Sequence, residues 1–465
     1  MPILVKIIPI FINGDVIGAH GIVRDISKEK RTEKKIKHLA FFDDVTKLPN
    51  KRSFLYEVKQ RCRQGDQKKN KFAIIKLRIN RVTHLKDLFG QDTIDKMMRT
   101  LAENLSQSLK RSAFVSRIEE DKFGIIFSIQ NGELLARMED VYKCVPEKIV
   151  IDNQEIKVDF HSGIAIYPND GENAEELMRN CKYALLIADE EKVNFLQYDP
   201  QKSNQIKRKI EIEKELYKAM TEHQFELYYQ PQYDVVKHKI VGAEALIRWF
   251  HPHLGAISPA EFIPIAESNG LIIEIGKWVI EEGCKQLKKW HGQGYKEMKL
   301  SLNLSVRQLY QNNIVEMINH TLKQLNLTQD SLVFEFTESS MMHDIDLFIQ
   351  VISKFKSRGF HISIDDFGTG YSSLYYLTRL QIDSIKIDRS FIQNMEYSKE
   401  NEMVITSIIS LAKNLQLQFI AEGVESISQV TLLKEMNCEL IQGYYISKPI
   451  PAEKFEYLLQ QRINV

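Results

Sequence analysis

Nine polar residues in the second half of the chain stand out because each interrupts or follows a run of apolar residues. They are Glu244, Asn303, Glu335, Glu338, Asp365, Asp366, Lys386, Glu422 and Gln442. A carboxylate that is buried without a partner costs several kcal/mol of folding free energy. Because one lysine cannot neutralise six acids, this pattern requires further cations.

The donor types in this set indicate which cations these would be. Oxygen ligands without histidine or cysteine suit hard divalent ions, and carboxylates combined with an asparagine amide favour Mg²⁺ or Mn²⁺ over zinc. Two such ions about 3.5–4 Å apart can generate hydroxide and stabilise both oxygens of a phosphoryl displacement. Phosphodiester hydrolysis is therefore the leading reaction class. An enolase-like reaction with Lys386 as the base stays open on spacing alone.

Eight strand candidates between about residues 225 and 450 must position these side chains. They begin at Glu226, Gly242, Lys299, Leu332, His361, Ser384, Gln418 and Glu439. Helical patterns separate most of them, which implies crossover connections and parallel strands. Eight strands in roughly 240 residues predict an α/β fold with a TIM-like (β/α)₈ barrel, whose strand ends share one catalytic face. An open doubly wound sheet is less favoured, because no Gly-rich phosphate loop is present.

The composition limits the functions open to the whole chain. Its 465 residues include 63 basic and 62 acidic residues, for a formal net charge of +1. Such a balance gives no global field for a nucleic-acid polymer, so any phosphate ligand needs a local site. No apolar run approaches the length of about 18 residues that a membrane span needs. Five dispersed cysteines favour a reducing compartment, and we therefore expect a cytoplasmic protein without a membrane span.

Residues 226–450 closely resemble the EAL family of cyclic di-GMP phosphodiesterases. The matching motifs, in family order, are Glu244-Ala-Leu, Asn303-Leu-Ser, Glu335-Phe-Thr-Glu338, Asp365-Asp366-Phe-Gly, Lys386-Ile-Asp, Glu422-Gly-Val-Glu425 and Gln442-Gly-Tyr. The resemblance implies hydrolysis of cyclic di-GMP to linear pGpG by a homodimer, which would lower this messenger in bacterial signalling. It makes the enolase-like reaction remote. The alternative is a catalytically silent effector that binds cyclic di-GMP and relays its occupancy to a protein partner.

The resemblance also implies a role for each matching residue. The first Mg²⁺ or Mn²⁺ ion would be held by Glu244, Asn303, Glu335 and Asp365, and the second by Asp365 and Asp366. Lys386 would orient water, and Glu422 would act as the general base. The substrate would contact Gln230, Arg248 and Gln442, and an arginine suits this role because its forked, permanently charged group binds phosphate. Glu338 would hold the loop 366–374, which in the family couples metal binding to dimerisation.

Residues 41–200 resemble a GGDEF domain of the diguanylate cyclase family whose active site is degenerate. Glu119-Glu120-Asp121-Lys122-Phe123 replaces the Gly-Gly-Asp-Glu-Phe turn, in which glycines let the backbone approach a triphosphate. The two metal positions align with Arg78 and Asn80, and a guanine-contacting asparagine aligns with Lys86, although Asp95 is kept. The inhibitory Arg-x-x-Asp motif aligns with residues 110–113 and lacks its acid. We expect no cyclase activity and no feedback binding; signal transmission, weak nucleotide binding and a spacer role stay open.

Two short segments precede this domain. Residues 1–26, two alternating strands joined at Asn13-Gly14, resemble the last two strands of a PAS sensor domain. Residues 27–40 are charged and lack glycine and proline, which predicts a linker helix. The expected order is thus a PAS remnant (1–26), a linker (27–40), a degenerate GGDEF domain (41–200) and an EAL domain (206–465).

Overall fold

The structure is a computed structural model in two compact units, Met1–Arg208 and Lys209–Val465. It describes residues 3–12, 15–27, 40–68, 71–109, 112–129, 133–311, 313–341, 344–368 and 377–461. Within these ranges, no helix combines the length and apolar character needed to cross a membrane.

The first unit begins with an antiparallel hairpin of strands β1 (Ile3–Ile12) and β2 (Asp15–Asp25). The turn predicted at Asn13-Gly14 lies outside the described residues, as does most of the predicted linker helix. Ile7 and Val23 on this hairpin are exposed.

The rest of the first unit is an α/β domain around a five-stranded sheet in the order β4-β5-β3-β8-β9. Its strands are β3 (Phe72–Ile79), β4 (Ala113–Glu119), β5 (Lys122–Ser128), a hairpin of β6 (Lys148–Ile151) and β7 (Gln154–Lys157), β8 (Phe160–Tyr167) and β9 (Phe195–Gln197). Its helices are α1 (Lys51–Lys68), α2 (Val82–Phe89), α3 (Gln91–Leu109), α4 (Leu134–Lys143) and α5 (Ala174–Glu190). Alternate residues of β3 enter two apolar clusters, Ile75 and Leu77 in one and Phe72 and Ile74 in the other. The sheet is therefore buried on both faces.

The second unit is a closed barrel of eight strands, as predicted. Its strands, with two short additions β12 and β19, are β10 (Phe225–Asp234), β11 (Lys239–His251), β12 (Gly255–Ile257), β13 (Lys299–Asn303), β14 (Leu332–Thr337), β15 (His361–Phe367), β16 (Ser384–Ile387), β17 (Gln418–Ala421), β18 (Leu440–Gln442) and β19 (Ile450–Pro451). Strands β11 and β13 to β18 are parallel neighbours, and β10 closes the barrel by pairing with both β18 and β11. Strand β10 runs antiparallel to both, because only residues 235–238 link it to β11 and a parallel connection needs a longer crossover.

Helices surround the parallel strands and cover their outward-facing side chains. After α6 (Pro200–Ala219), they are α7 (Pro259–Asn269), α8 (Ile272–Gly292), α9 (Val306–Leu309), α10 (Ile314–Leu325), α11 (Glu338–Met341), α12 (Ile345–Ser357), α13 (Arg389–Gln393), α14 (Lys399–Asn414), α15 (Ile427–Glu435) and α16 (Ala452–Leu459). On β14, Phe334 and Phe336 pack edge-on against Phe355 and Phe348 of α12. Since side chains alternate along a strand, Glu335 between them points into the barrel.

Candidate active site

The predicted polar residues meet at the carboxyl ends of the parallel strands. In the β13–β14 pairing Asn303 lies beside Glu335, and in the β14–β15 pairing Thr337 lies beside Asp365. Adjacent parallel strands in this register therefore bring their last inward-facing residues to one level of the barrel.

Lys386 is the centre of this group. Its side chain is fully buried, and its Nζ atom lies 2.6 Å from Glu422 Oε1, 2.8 Å from Glu335 Oε2, 3.0 Å from Glu244 Oε2 and 3.4 Å from Asp365 Oδ1. Four carboxylates from four strands or strand ends thus share a single ammonium group. The sequence had predicted this convergence from the late-strand positions alone.

Glu244 is held from two further directions. Asn303 Nδ2 donates to Glu244 Oε1 at 2.7 Å, and Gln442 Nε2 donates to Glu244 Oε2 at 2.6 Å. Gln442 Nε2 also donates to Gln230 Oε1 at 3.1 Å, and Gln230 lies directly across from Glu244 in the β10–β11 pairing. Both oxygens of Glu244 are therefore fixed in direction, and Gln442 is only 3% exposed.

The two consecutive aspartates lie at a β-bulge. Between paired positions, β15 runs from Ile364 to Phe367 while β16 advances by one residue fewer, so β15 carries one extra residue. Asp366 adopts a left-handed backbone conformation with φ of 54°, and its amide donates to Asp365 Oδ1 at 3.0 Å. The bulge allows both Asp365 and Asp366 to face the site, where regular alternation would turn one of them away.

Glu338 lies apart from the Lys386 group. It is buried at the start of α11, and its Oε2 atom accepts a hydrogen bond from the Gly368 amide at 2.9 Å. Gly368 belongs to the loop 366–374, which was predicted to couple the site to a second subunit. The rest of that loop, residues 369–374, lies outside the described residues.

The group has an excess of negative charge. Burial and the neighbouring carboxylates raise the pKa of Glu335 well above its ordinary value, raise that of Asp366 to about 6 and raise that of Glu422 to about 8. Burial opposes the charge on Lys386, but its pKa is raised well above the ordinary value by Asp365, Glu244, Glu335 and Glu422. One lysine thus stands against five acids, and an excess of buried carboxylates of this kind suits a bound cation.

The acids are arranged as two overlapping groups that fit divalent cations. Oxygens of Glu244, Glu335 and Asp365 lie within 4.8 Å of one another, and so do oxygens of Asp365, Asp366 and Glu422. Asp365 belongs to both groups. Glu335 Oε1 is buried and has no hydrogen-bond donor among the described residues. An all-oxygen set with an unsatisfied buried carboxylate oxygen suits Mg²⁺ or Mn²⁺.

The predicted phosphate-binding residue Arg248 lies farther along β11 than Glu244. Its guanidinium donates to the Ile247 carbonyl at 2.8 Å and stacks 5.7 Å from the Tyr228 ring centroid. Because Arg248 and Glu244 are four residues apart, they face the same side of the strand. Arg248 therefore lies beyond the carboxylate group, toward the carboxyl end of the barrel strands.

The sequence reasoning assigned no role to two residues of this site, although one of them, Asp388, belongs to the motif Lys386-Ile-Asp. Asp388 lies beside Asp366 and contributes to raising the pKa of that carboxyl group. Gln232 donates from Nε2 to Gln442 Oε1 at 3.2 Å. The signal for Asp388 was its place two residues after Lys386, whereas nothing distinguished Gln232 from an ordinary polar strand residue.

In the first unit, the cleft at the predicted metal positions Arg78 and Asn80 contains charged side chains that pair with one another. Arg78 forms an ion pair with Asp189, and Asn80 Nδ2 donates to Asp159 Oδ2 at 3.0 Å. These residues line a cavity of about 520 Å³ next to the turn between β4 and β5. Other predicted positions are also paired: Lys86 lies 3.4 Å from Glu120, Lys122 contacts Glu119, and Asp95 accepts from Gln91 at 2.8 Å. Residues 110 and 111 lie outside the described residues.

Comparison with known proteins agrees with this architecture. The EAL domain family model matches residues 213–449, and the model "Diguanylate cyclase, GGDEF domain" matches residues 40–194. The signaling protein YkoW of Bacillus subtilis is 35% identical over 98% of this chain and 58% of its own length. The cyclic di-GMP phosphodiesterase NbdA of Pseudomonas aeruginosa is 32% identical over 91% of this chain and 54% of its own length. The chain therefore spans little more than half of these relatives.

The solved structures that resemble the chain are EAL domains. The phosphodiesterase MucR in complex with c-di-GMP shares 37% identity, covers 53% of this chain and 99% of its own, and has a TM-score of 0.51. The EAL enzyme Bd1971, bound to cAMP and cyclic di-GMP, shares 27% identity over 67% of this chain and 92% of its own, with a TM-score of 0.53. Because the EAL model also matches more than half of the chain, this protein belongs to the EAL-domain family.

Proposed function

We propose that the barrel hydrolyses cyclic di-GMP to linear pGpG with the help of two divalent cations, Mg²⁺ or Mn²⁺. The observation that carries this proposal is the group of five carboxylates around one buried lysine at the catalytic end of the barrel. The names of NbdA and the solved MucR structure support the choice of substrate.

The chain's own residues would hold the cations in two groups. The ligands would be Glu244, Asn303, Glu335 and Asp365 for one ion, and Asp365 and Asp366 for the other. When bound, such ions lower the pKa of water and stabilise charge on the reacting phosphate. Glu422 lies within reach of the second group, so it is available either as a ligand or as a base.

Lys386 and Glu422 would govern the water that attacks phosphorus. Lys386 Nζ contacts Glu422 Oε1 at 2.6 Å and so fixes the direction of that carboxylate. We assign Glu422 as the general base that accepts the proton of water while the oxygen forms its bond to phosphorus. The broken phosphorus–oxygen bond leaves one phosphomonoester and one hydroxyl, which converts the cyclic dinucleotide to a linear one.

Arg248 and Gln230 would contact the substrate, and Gln442 would contribute by holding its neighbours in place. A guanidinium donates two parallel hydrogen bonds to a phosphate, and stacking on Tyr228 orients Arg248 for this. Gln442 is buried with its amide nitrogen on Glu244 and Gln230. We therefore propose that Gln442 contributes to substrate binding by orienting Gln230 and Glu244.

The first unit would not act as a cyclase. Arg78 stands where the family binds a metal, and Glu119 and Glu120 stand where it has glycines. Arg78 pairs with Asp189 and Lys86 with Glu120, which would leave fewer acids available to a cation. We also expect the chain to form a homodimer through its barrel, which sedimentation with and without Mn²⁺ would test.

Chromatography of reactions with the whole chain tests both activities. Cyclic di-GMP with Mg²⁺ or Mn²⁺ should yield pGpG, a chelator should stop the reaction, and GTP with Mn²⁺ should yield no cyclic di-GMP. Binding of cyclic di-GMP in a parallel titration without any product would instead establish the silent effector. Glu422→Gln should keep that binding and lose hydrolysis, since only the proton acceptor is removed.

A further inference from the structure

A chain of hydrogen-bonded amides lies beneath Glu244 inside the barrel. Gln232 on β10 and Gln442 on β18 are directly opposite in the strand pairing, and both are buried. Gln232 Nε2 donates to Gln442 Oε1 at 3.2 Å and to Ser301 Oγ at 3.3 Å. Gln442 Nε2 in turn donates to Glu244 Oε2 at 2.6 Å.

The ionised carboxylate of Glu244 determines which group donates and which accepts in each of these hydrogen bonds. An ionised carboxylate only accepts hydrogen bonds, so Gln442 must present its NH₂ group to Glu244. Its oxygen then faces Gln232, which must present an NH₂ group as well. If Gln232 could not donate, the Gln442 oxygen would be buried without this donor, and only Glu244 and Gln230 would hold the Gln442 amide in its present orientation.

The backbone around these amides is shaped to hold them. A Cβ atom added to Gly242 would lie 2.7 Å from Gln232 Oε1, so glycine at this position admits the Gln232 side chain. A Cβ atom added to Gly443 would lie 2.1 Å from the Val424 carbonyl oxygen. Glycine at this position therefore allows the backbone after Gln442 to pass close to the backbone at Val424. The two amides therefore have defined places in the barrel and are not incidental polar residues.

We propose that Gln232 is a positioning residue for the cation site, acting through Gln442 on Glu244. Gln232 sets the orientation of the Gln442 amide, and that amide donates to Glu244 Oε2. The inference rests on the proposed function, because Glu244 matters in this way only if it ligates a cation. Groups that orient a ligand from behind typically change metal affinity or activity by roughly 10- to 100-fold when they are replaced.

Mn²⁺ binding to the whole chain tests this directly, measured from the free-ion signal in electron paramagnetic resonance. Gln232→Met keeps the length of the side chain but cannot donate, and we expect it to raise the dissociation constant for Mn²⁺ about 10-fold. Gln232→Glu, measured at pH 9 with the new carboxyl ionised, replaces the donor by an acceptor and should raise it up to about 100-fold. With cyclic di-GMP, the Mn²⁺ concentration for half-maximal hydrolysis should rise by similar factors, with a smaller change at saturating Mn²⁺.

Gln418→Glu is the matched control. Gln418 and Gln232 line one cavity at the amino-terminal end of the barrel strands, but Gln418 is exposed at the start of β17. The control makes the same charge change near the same cavity and should leave Mn²⁺ affinity unchanged.

Gly242→Ala gives a second test of the inference, because it displaces the Gln232 amide without altering its chemistry. It should weaken Mn²⁺ binding in the parent chain and have little added effect in the Gln232→Met background.

Thermal unfolding of each variant separates positioning from packing. A packing role alone would lower the melting temperature and leave the Mn²⁺ affinity of the folded protein unchanged, and that result would overturn the inference while the parent chain still bound Mn²⁺ and hydrolysed cyclic di-GMP. A parent chain that neither bound Mn²⁺ nor hydrolysed cyclic di-GMP would overturn the proposed function, and the inference with it.

Discussion

The barrel and the first unit each contain a cleft rich in acidic residues, but they balance its charge in different ways. In the barrel, Lys386 is shared among carboxylates, and burial and neighbouring acids raise the pKa of Glu335 and of Glu422 in spite of it. In the first unit, Arg78 pairs with Asp189 and Lys86 pairs with Glu120. Arg78 and Lys86 thus each have one acidic partner, whereas Lys386 is shared by four carboxylates.

This difference shows how an acidic cleft that binds a cation can be told from one whose acids are paired within the protein. Burying carboxylates beyond what the chain can neutralise costs stability, so an excess of this kind indicates a site that a ligand compensates. Paired acids need no such compensation. The number of acidic residues alone would not separate the two clefts, but the number of acids for each cation does.

The largest effect should come from removing the central cation of each cleft. Lys386→Met should abolish hydrolysis and lower the free energy of unfolding of the barrel by about 3–5 kcal/mol, because it leaves buried carboxylates without their partner. Arg78→Met should leave hydrolysis intact and cost at most about 1 kcal/mol, since Arg78 and Asp189 are partly exposed. Hydrogen exchange in chelator measures the stability of each unit separately.

Similar stability losses from the two substitutions would contradict the comparison. Retained hydrolysis in Lys386→Met would also remove Lys386 from the mechanism. Lys289→Met, which breaks a pair with Glu456 on the outside of the same barrel, is the control for loss of a lysine as such.

The sequence predicted the barrel and its central group for a clear physical reason. A carboxylate within an apolar run, such as Glu335 between Phe334 and Phe336, indicates either a structural ion pair or a site that faces inward, and the whole set of such residues favours the site. It did not predict the reversed direction of β10, although the four-residue link to β11 contained that information. The pairing of Arg78 with Asp189 could not be predicted either, because it depends on how β3 and α5 pack and no local pattern encodes it.

Adding Mn²⁺ should affect the two units unequally. Binding to the folded barrel alone stabilises it by about 2.7 kcal/mol when the ion is present at 100 times its dissociation constant. Peptides from β14 and β15 should therefore exchange their amide hydrogens more slowly, while peptides from β3 and β5 should not change. Excess chelator should reverse the protection. Equal protection of both units would show that the first cleft also binds the cation, against its balanced charge.

The smallest effect concerns Lys76 of the first unit. Its environment lowers its pKa, whereas the carboxylates around Lys386 raise the pKa of that lysine. Lys76 on β3 is partly buried and donates to the Met178 carbonyl at 2.6 Å, and burial lowers its pKa below the ordinary value. The folded state thus binds this proton less tightly than the unfolded state does. Stability should rise as the pH increases from the lowered pKa toward 10.5, because the unfolded chain holds more protons in that window.

Lys76→Met should remove this pH dependence and change the free energy of unfolding at pH 7 by no more than about 1 kcal/mol, since the lost hydrogen bond and the relieved burial of charge oppose each other. Urea denaturation of both proteins between pH 7 and pH 10 measures the difference. The two curves should converge or cross as the pH rises. A Lys76→Met loss as large as that of Lys386→Met would mean that a buried lysine stabilises either unit equally, and that carboxylate partners do not account for the importance of Lys386.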